Sequence, residues 1–187
     1  LYTAKSELIL ACSALVIIPF SPKNVSTTAA DIIIITTIVI TNVIKLIPKA
    51  DGTFIKEVVY TKTMNGVSLR EQRDFLRELI HIRFPSTNKL VIDGQSAGEG
   101  LLSLLEEPWK TRDDKGNEIQ YPQLIKDDDD EAQILLPDAI PMIRAVKATN
   151  EFNADFYPYM KSCFEDKSIR LLSDSHEVDD AYKNEEL

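Results

Sequence analysis

The chain has 187 residues, a formal net charge of -9, 44% hydrophobic and 27% charged residues. These totals are typical of one globular domain with a substantial core, and they exclude a disordered or fibrous chain. The acidic balance also argues against a protein that coats nucleic acid by bulk electrostatics, although local basic stripes remain compatible with it. Two cysteines and two histidines predict a reducing compartment, with neither a disulfide framework nor a zinc site.

The first third of the chain is rich in apolar and β-branched residues, which favour strands. We predict strands over residues 7–18, 31–48 and 54–61, the last two joined by the turn Asp51-Gly52. The isoleucine-rich run within 31–48 contains Thr, Asn and Lys and is shorter than a membrane span needs, so we expect no membrane association. No signal peptide is visible.

A helix is predicted to begin at Ser68, which has capping-box spacing to Glu71, and to end near Pro85. Arg70, Arg73 and Arg77 share one stripe of this helix. A solvated helix face is the simpler interpretation of the stripe, and a patch facing DNA phosphates is the alternative.

The most informative stretch is the short apolar run 90–92, which predicts a buried strand ending at Asp93. Three glycines follow it, and Ser96 with Glu99 has capping-box spacing for a helix that reaches Glu107 before Pro108. Asp93 could simply cap the turn. The order of strand, acid, turn and helix instead favours a functional carboxylate at the sheet rim, where ligands of α/β proteins bind.

Residues 108–138 form an acidic insertion in this interpretation, with a turn at 113–117. The acidic run 127–131 lacks the alternating ligands of a calcium loop, so we predict an exposed, poorly ordered loop without a specific metal. Next we predict a strand over 139–146, and then a helix that Thr149 or Asn150 caps. A short strand over 168–172 and an acidic tail follow.

Three antiparallel strands followed by parallel ones between helices is the order of the ribonuclease H-like fold. Residues 90–105, the acidic insertion, 143–157 and 167–172 together resemble the nuclease domain of a tailed-bacteriophage large terminase subunit. The similarity covers about residues 58–172. We therefore expect an α/β ribonuclease H-like mixed sheet flanked by helices, in one nuclease domain over residues 1–187.

The resemblance implies a divalent-metal-dependent endonuclease that cuts concatemeric double-stranded DNA in the host cytoplasm during virion assembly. It also implies Mg²⁺ or Mn²⁺ in a two-metal site, since carboxylates at the rim of the first and fourth strands bind such ions. The expected partners are DNA, an ATPase domain, the portal and a small terminase subunit. The chain begins without Met and has no Gly-Lys-Ser/Thr phosphate loop, so we expect a piece of a longer protein from which the ATPase half is absent.

By this resemblance Asp93 and Asp31 are the candidate catalytic residues and metal ligands, and we predict that they meet at one rim. Asp180, or its neighbour Asp179, is the candidate third acid. Arg70, Arg73 and Arg77 are the candidate DNA contacts. Ser13 stands where the family has an aspartate in its first strand. That departure keeps open a catalytically silent module for docking DNA or protein, and an interaction domain unrelated to nucleic acid is a third hypothesis.

Overall fold

Within the part of the chain that the structure describes, seven strands form one mixed sheet. The computed structural model describes residues 31–36, 40–64, 66–94, 97–147 and 149–172. The prediction of an α/β fold with a mixed sheet flanked by helices is confirmed. The predicted strand 7–18 lies outside the described residues.

Three consecutive strands, β1 (Asp31–Thr36), β2 (Ile40–Pro48) and β3 (Phe54–Thr63), pair antiparallel. The single strand predicted over residues 31–48 is therefore wrong, because β1 and β2 are separate strands with Thr36 beside Thr41. The predicted turn between β2 and β3 is confirmed. Gly52 adopts a φ of 80°, and the Lys49 N–H donates to the Thr53 carbonyl at 2.8 Å.

Parallel strands extend the sheet on the other side of β1. β4 (Thr87–Asp93) pairs with β1 and with β8 (Ile140–Val146), and β8 pairs with the edge strand β7 (Leu124–Lys126). At the opposite edge, β9 (Ile169–Arg170) pairs parallel with β3. The carboxyl ends of β1, β4 and β8 consequently lie at one rim of the sheet.

Helices cover both faces of this sheet. α1 (Leu69–Glu78), continued by a π-helical turn (Leu79–Arg83), and α2 (Ala97–Leu105) pack on the face that carries Ile34, Leu90 and Ile92. α4 (Asn150–Glu165) packs Phe156 and Cys163 against Val91 and its neighbours on the other face. The arrangement is three layered, with a core on each side of the sheet.

Two predicted helix starts are confirmed by their caps. The Ser68 hydroxyl accepts from the Glu71 N–H at 3.3 Å, and the Glu71 carboxylate accepts from the Ser68 N–H at 2.9 Å. Thr149 caps α4 by accepting from the Phe152 N–H at 3.1 Å. Local sequence signals therefore determine where α1 and α4 begin.

The insertion over residues 108–138 contains more structure than its sequence predicts. β5 (Trp109–Arg112) and β6 (Glu118–Tyr121) form an antiparallel hairpin, whose turn is organised by the Asp113 carboxylate. β7 then joins the main sheet, and α3 (Asp130–Leu135) follows it. The insertion thus supplies an edge strand to the central sheet.

Candidate active site at the carboxyl end of β4

Asp93 is the last residue of β4. Leu90, Val91 and Ile92 before it are at most 1% exposed, whereas Asp93 itself is half-buried. Because its backbone pairs with Val146 at the end of β8, Asp93 lies at the rim that the parallel strands share. The sequence placed this residue correctly at the end of a buried strand.

The rim at Asp93 is a topological switch point. From β1 the chain continues to β2 on one side, and from β4 it continues through α2 to β7 and β8 on the other side. In open α/β sheets the crevice between two such strands is where ligands bind. Asp93 therefore lies at the rim where sheets of this kind place their ligands.

The glycines after Asp93 allow α2 to begin directly against the end of β4. The Gly94 N–H donates to the Val146 carbonyl at 2.7 Å, which ties the turn to β8. A Cβ at Gly98 would lie 1.7 Å from the Asp93 carbonyl oxygen, so no side chain fits there without moving the backbone. The first turn of α2 is thereby held against the backbone of Asp93.

Asp31 lies at the other end of the sheet, and the prediction that it meets Asp93 is wrong. Ile32, the next residue, is beside Thr87 at the start of β4, whereas Asp93 ends that strand. A strand of this length spans about 20 Å at roughly 3.3 Å per residue. The prediction failed because it treated β1 and β2 as one strand and so mistook the strand direction at the rim.

The other candidate acids do not complete a metal site within the described residues. Asp179 and Asp180 lie outside them, as does Ser13 at the position of the expected first-strand acid, and Glu99 is exposed in the first turn of α2. Among the residues that the structure describes, no three His, Cys, Asp or Glu side chains are grouped so as to hold a metal ion. The described rim supplies Asp93, which does not by itself fit a two-metal site.

The three arginines predicted to contact DNA have different surroundings. Arg70 is exposed. Arg73 pairs with Asp74 at 2.8 Å and with Glu107 at 3.7 Å, and its side chain is 17% exposed. Arg77 is fully buried. The prediction that Arg77 contacts DNA phosphates is therefore wrong, because the insertion covers that end of the helix face.

Arg77 connects α1 to the start and end of the β5–β6 hairpin. Its guanidinium donates to the carbonyls of Leu105, Glu107 and Pro122 at 2.6, 2.8 and 2.7 Å. Burial lowers the pKa of this guanidinium to about 10, so it stays protonated at neutral pH. The residue is a structural tie between segments that are distant in sequence.

His81 continues this contact as part of an aromatic stack. Its ring lies 4.2 Å from the Tyr121 ring and 6.1 Å from the Trp109 ring, between centroids. An Arg77 guanidinium nitrogen lies 3.3 Å from His81 Nε2. Since a guanidinium can only donate a hydrogen bond, Nε2 must accept it. The His81 ring must therefore be neutral, with no proton on Nε2.

This stack predicts a loss of stability in mild acid. Burial, and next the Arg77 charge, lower the pKa of His81 from 6.5 to about 4. Because the pKa of His81 is lower in the folded state, its neutral ring contributes fully to stability above pH 6.5. This contribution is lost as the pH falls toward 4. We expect the free energy of unfolding to fall by about 1–2 kcal/mol over this pH range, a figure already reduced for solvent screening of a half-buried ring. Urea unfolding at several pH values should show this slope, and His81→Phe should flatten it; an unchanged slope would contradict the assignment.

The acidic run 127–131 is ordered, contrary to the prediction of a poorly ordered loop. Asp127 pairs with Lys89 of β4 and, at 3.3 Å, with Arg144 of β8. Asp129 caps α3 by accepting from the Ala132 N–H at 2.9 Å. The cations that pair with Asp127 come from two neighbouring strands, so the charge pattern of the run itself could not reveal them.

A groove of about 570 Å³ lies between α1 and β5. Phe75 and Trp109 line it together with charged side chains that include Glu71 and Arg73. Trp109 donates its indole N–H to Asp74 at 2.9 Å, which fixes one wall. The groove lies where the insertion packs on α1. Neither Asp93 nor Asp31 is among the described residues that line it.

Comparison with known proteins gives no relative for this chain. No family model, no curated protein and no solved structure matches it. In the part of the chain that the structure describes, no helix is long and apolar enough to cross a membrane.

Proposed function

We propose that this chain is a ribonuclease H-like, metal-dependent endonuclease domain similar to the nuclease part of a phage large terminase. Its proposed reaction is hydrolysis of phosphodiesters in concatemeric double-stranded DNA. The observation that carries the proposal is the position of Asp93 at the switch point between β1 and β4. In the fold that the sequence resembles, the first and fourth strands bear the metal-binding acids.

The sheet supports this proposal in a second way. β1 and β4 are neighbours and parallel, so their carboxyl ends are adjacent, as a shared site on these two strands requires. β2 and β3 follow β1 antiparallel, and β8 extends the sheet beyond β4. The strand directions are thus compatible with a ribonuclease H-like arrangement.

Asp93 is the proposed ligand for Mg²⁺ or Mn²⁺, since both ions prefer carboxylate oxygens. Asp180 remains the proposed further acid. Such ions would activate water and stabilise the leaving oxygen of a phosphodiester. The proposed setting is the host cytoplasm during virion assembly, where an ATPase domain, the portal and a small terminase subunit would be the partners.

DNA binding by this domain is proposed to be weak. The net charge of -9 repels a polyanion, and of the three candidate arginines Arg70 is exposed whereas Arg77 is buried. Binding that depends on a few cations and on divalent ions should fall steeply as salt rises. Cleavage should therefore be measured at low salt, where DNA binding is strongest.

A second candidate function is a catalytically silent module that docks DNA or protein. Two observations favour it: Asp31 lies at the opposite end of β4 from Asp93, and Arg77 is engaged inside the protein. The two functions differ in one measurable property, which is metal-dependent cleavage.

Plasmid relaxation tests the proposal. At about 50 mM salt with Mn²⁺ or Mg²⁺, the full chain should slowly nick supercoiled plasmid without sequence preference. EDTA should abolish the nicking, and about 200 mM salt should suppress it strongly. Plasmid that is bound but stays intact with either ion would support the silent module instead.

A further inference from the structure

Three consecutive large apolar residues at the end of α3 face solvent. Ile134 is 79% exposed, Leu135 69% and Leu136 39%. We call these residues the α3 patch. All six residues of α3 are exposed or half-buried, so this helix adds little to the core. A contiguous apolar surface of this kind marks an interaction site more often than a scattered exposed leucine does.

Acidic residues flank the α3 patch in the sequence. Residues 127–138 contain five consecutive acids and Asp138, and no Lys or Arg. Asp127 and Asp129 serve within the protein, as an ion-pair partner and as a helix cap. Asp130, Glu131 and Asp138 are exposed, so they leave negative charge beside the patch.

The helix that presents the α3 patch is fixed to the sheet. Asp127 ties the start of the segment to β4 and β8 through Lys89 and Arg144. Gln133 of α3 donates to the Asp127 carbonyl at 3.3 Å. A partner would therefore bind a surface that is already ordered, which reduces the entropic cost of binding.

We propose that the α3 patch binds a basic amphipathic helical segment of a partner protein. The apolar stripe of such a segment would cover Ile134, Leu135 and Leu136, and its Lys or Arg residues would face Asp130, Glu131 and Asp138. Helix docking of this kind combines apolar burial with complementary charge. The inference does not depend on the proposed nuclease activity.

Charge disfavours three other occupants of the α3 patch. A symmetric contact between two copies would bring the same acids together. Residues 173–187 contain six acids and one lysine, so this tail would be repelled. DNA would be repelled for the same reason. A basic partner is the occupant that the surrounding charges favour.

Fluorescence anisotropy with a designed peptide tests the proposal on the full chain. The probe is a labelled 14-residue peptide with Leu at helical i, i+3, i+4 and i+7 spacing and Lys elsewhere. It should bind wild type, and Ile134→Ser with Leu135→Ser should weaken binding at least about tenfold. Asp130→Asn with Glu131→Gln should weaken it several-fold. The matched control Leu171→Ser, a leucine that is 56% exposed outside the patch, should leave binding unchanged.

Four outcomes would overturn the inference. The first is equal binding of a scrambled peptide of the same composition, which would mean nonspecific charge attraction. The second is unchanged binding by the Ile134→Ser, Leu135→Ser variant. The third is a concentration-dependent dimer that this variant abolishes, which would identify a second copy as the occupant. The fourth is a fall in the variant's melting temperature by more than about 4 °C, which would mean that the chain itself covers the patch.

Discussion

Asp93→Asn is expected to reduce metal-dependent plasmid cleavage by at least about 100-fold, because it removes a proposed metal ligand. Asparagine has nearly the same shape as aspartate but lacks the negative charge that attracts a divalent ion. Asp93 is half-buried at the end of β4, where its side chain retains access to solvent. The substitution keeps the size and shape of the side chain and should leave the fold intact, which circular dichroism and a melting curve would verify.

Asp114→Asn is the matched control for this experiment. Asp114 is exposed in the turn of the β5–β6 hairpin, so the same charge is lost outside β4 and the turn that follows it. Cleavage by this variant should equal that of wild type. Equal cleavage by Asp93→Asn and wild type, prepared in parallel, would show that the activity resides elsewhere.

Arg77→Ala is expected to destabilise the protein by about 3–5 kcal/mol. The substitution leaves three carbonyl oxygens, of Leu105, Glu107 and Pro122, without their shared donor. It also opens a cavity, since Arg77 is 0% exposed and its stem is packed between α1 and the insertion. Urea unfolding followed by circular dichroism measures the change in the free energy of unfolding.

Arg70→Ala provides the comparison on the same helix. Arg70 is exposed, so its replacement should change stability by less than about 0.5 kcal/mol. If Arg77→Ala were as mild as Arg70→Ala, the structural role assigned to Arg77 would be wrong. Any loss of DNA binding in Arg77→Ala should follow the loss of folded protein rather than the loss of a phosphate contact.

Local signals in the sequence predicted the elements around the candidate site well. The capping box at Ser68, the cap at Thr149 and the apolar run before Asp93 all depend on residues within a few positions of each other. Such short-range patterns determine helix starts and buried strands largely without tertiary information. The position of Asp93 at the end of a buried strand was predicted for this reason.

The features that the sequence did not predict depend on pairing between distant segments. Residues 36–40 contain no Gly, Pro, Asn or Asp, so nothing marked the boundary between β1 and β2, and Asp31 was placed at the wrong rim. The burial of Arg77 results from the insertion packing on α1, which helical spacing does not encode. Likewise, Asp127 is ordered by Lys89 and Arg144, on strands remote in sequence.

The most direct test of the central claim is a crystal structure of the chain soaked in Mn²⁺, located by anomalous scattering. The account predicts an ion at the switch point, within about 2.0–2.3 Å of an Asp93 carboxylate oxygen, that is absent from Asp93→Asn crystals. Manganese bound only at other carboxylates, with none at Asp93, would contradict the assignment of this rim as a metal-dependent nuclease site.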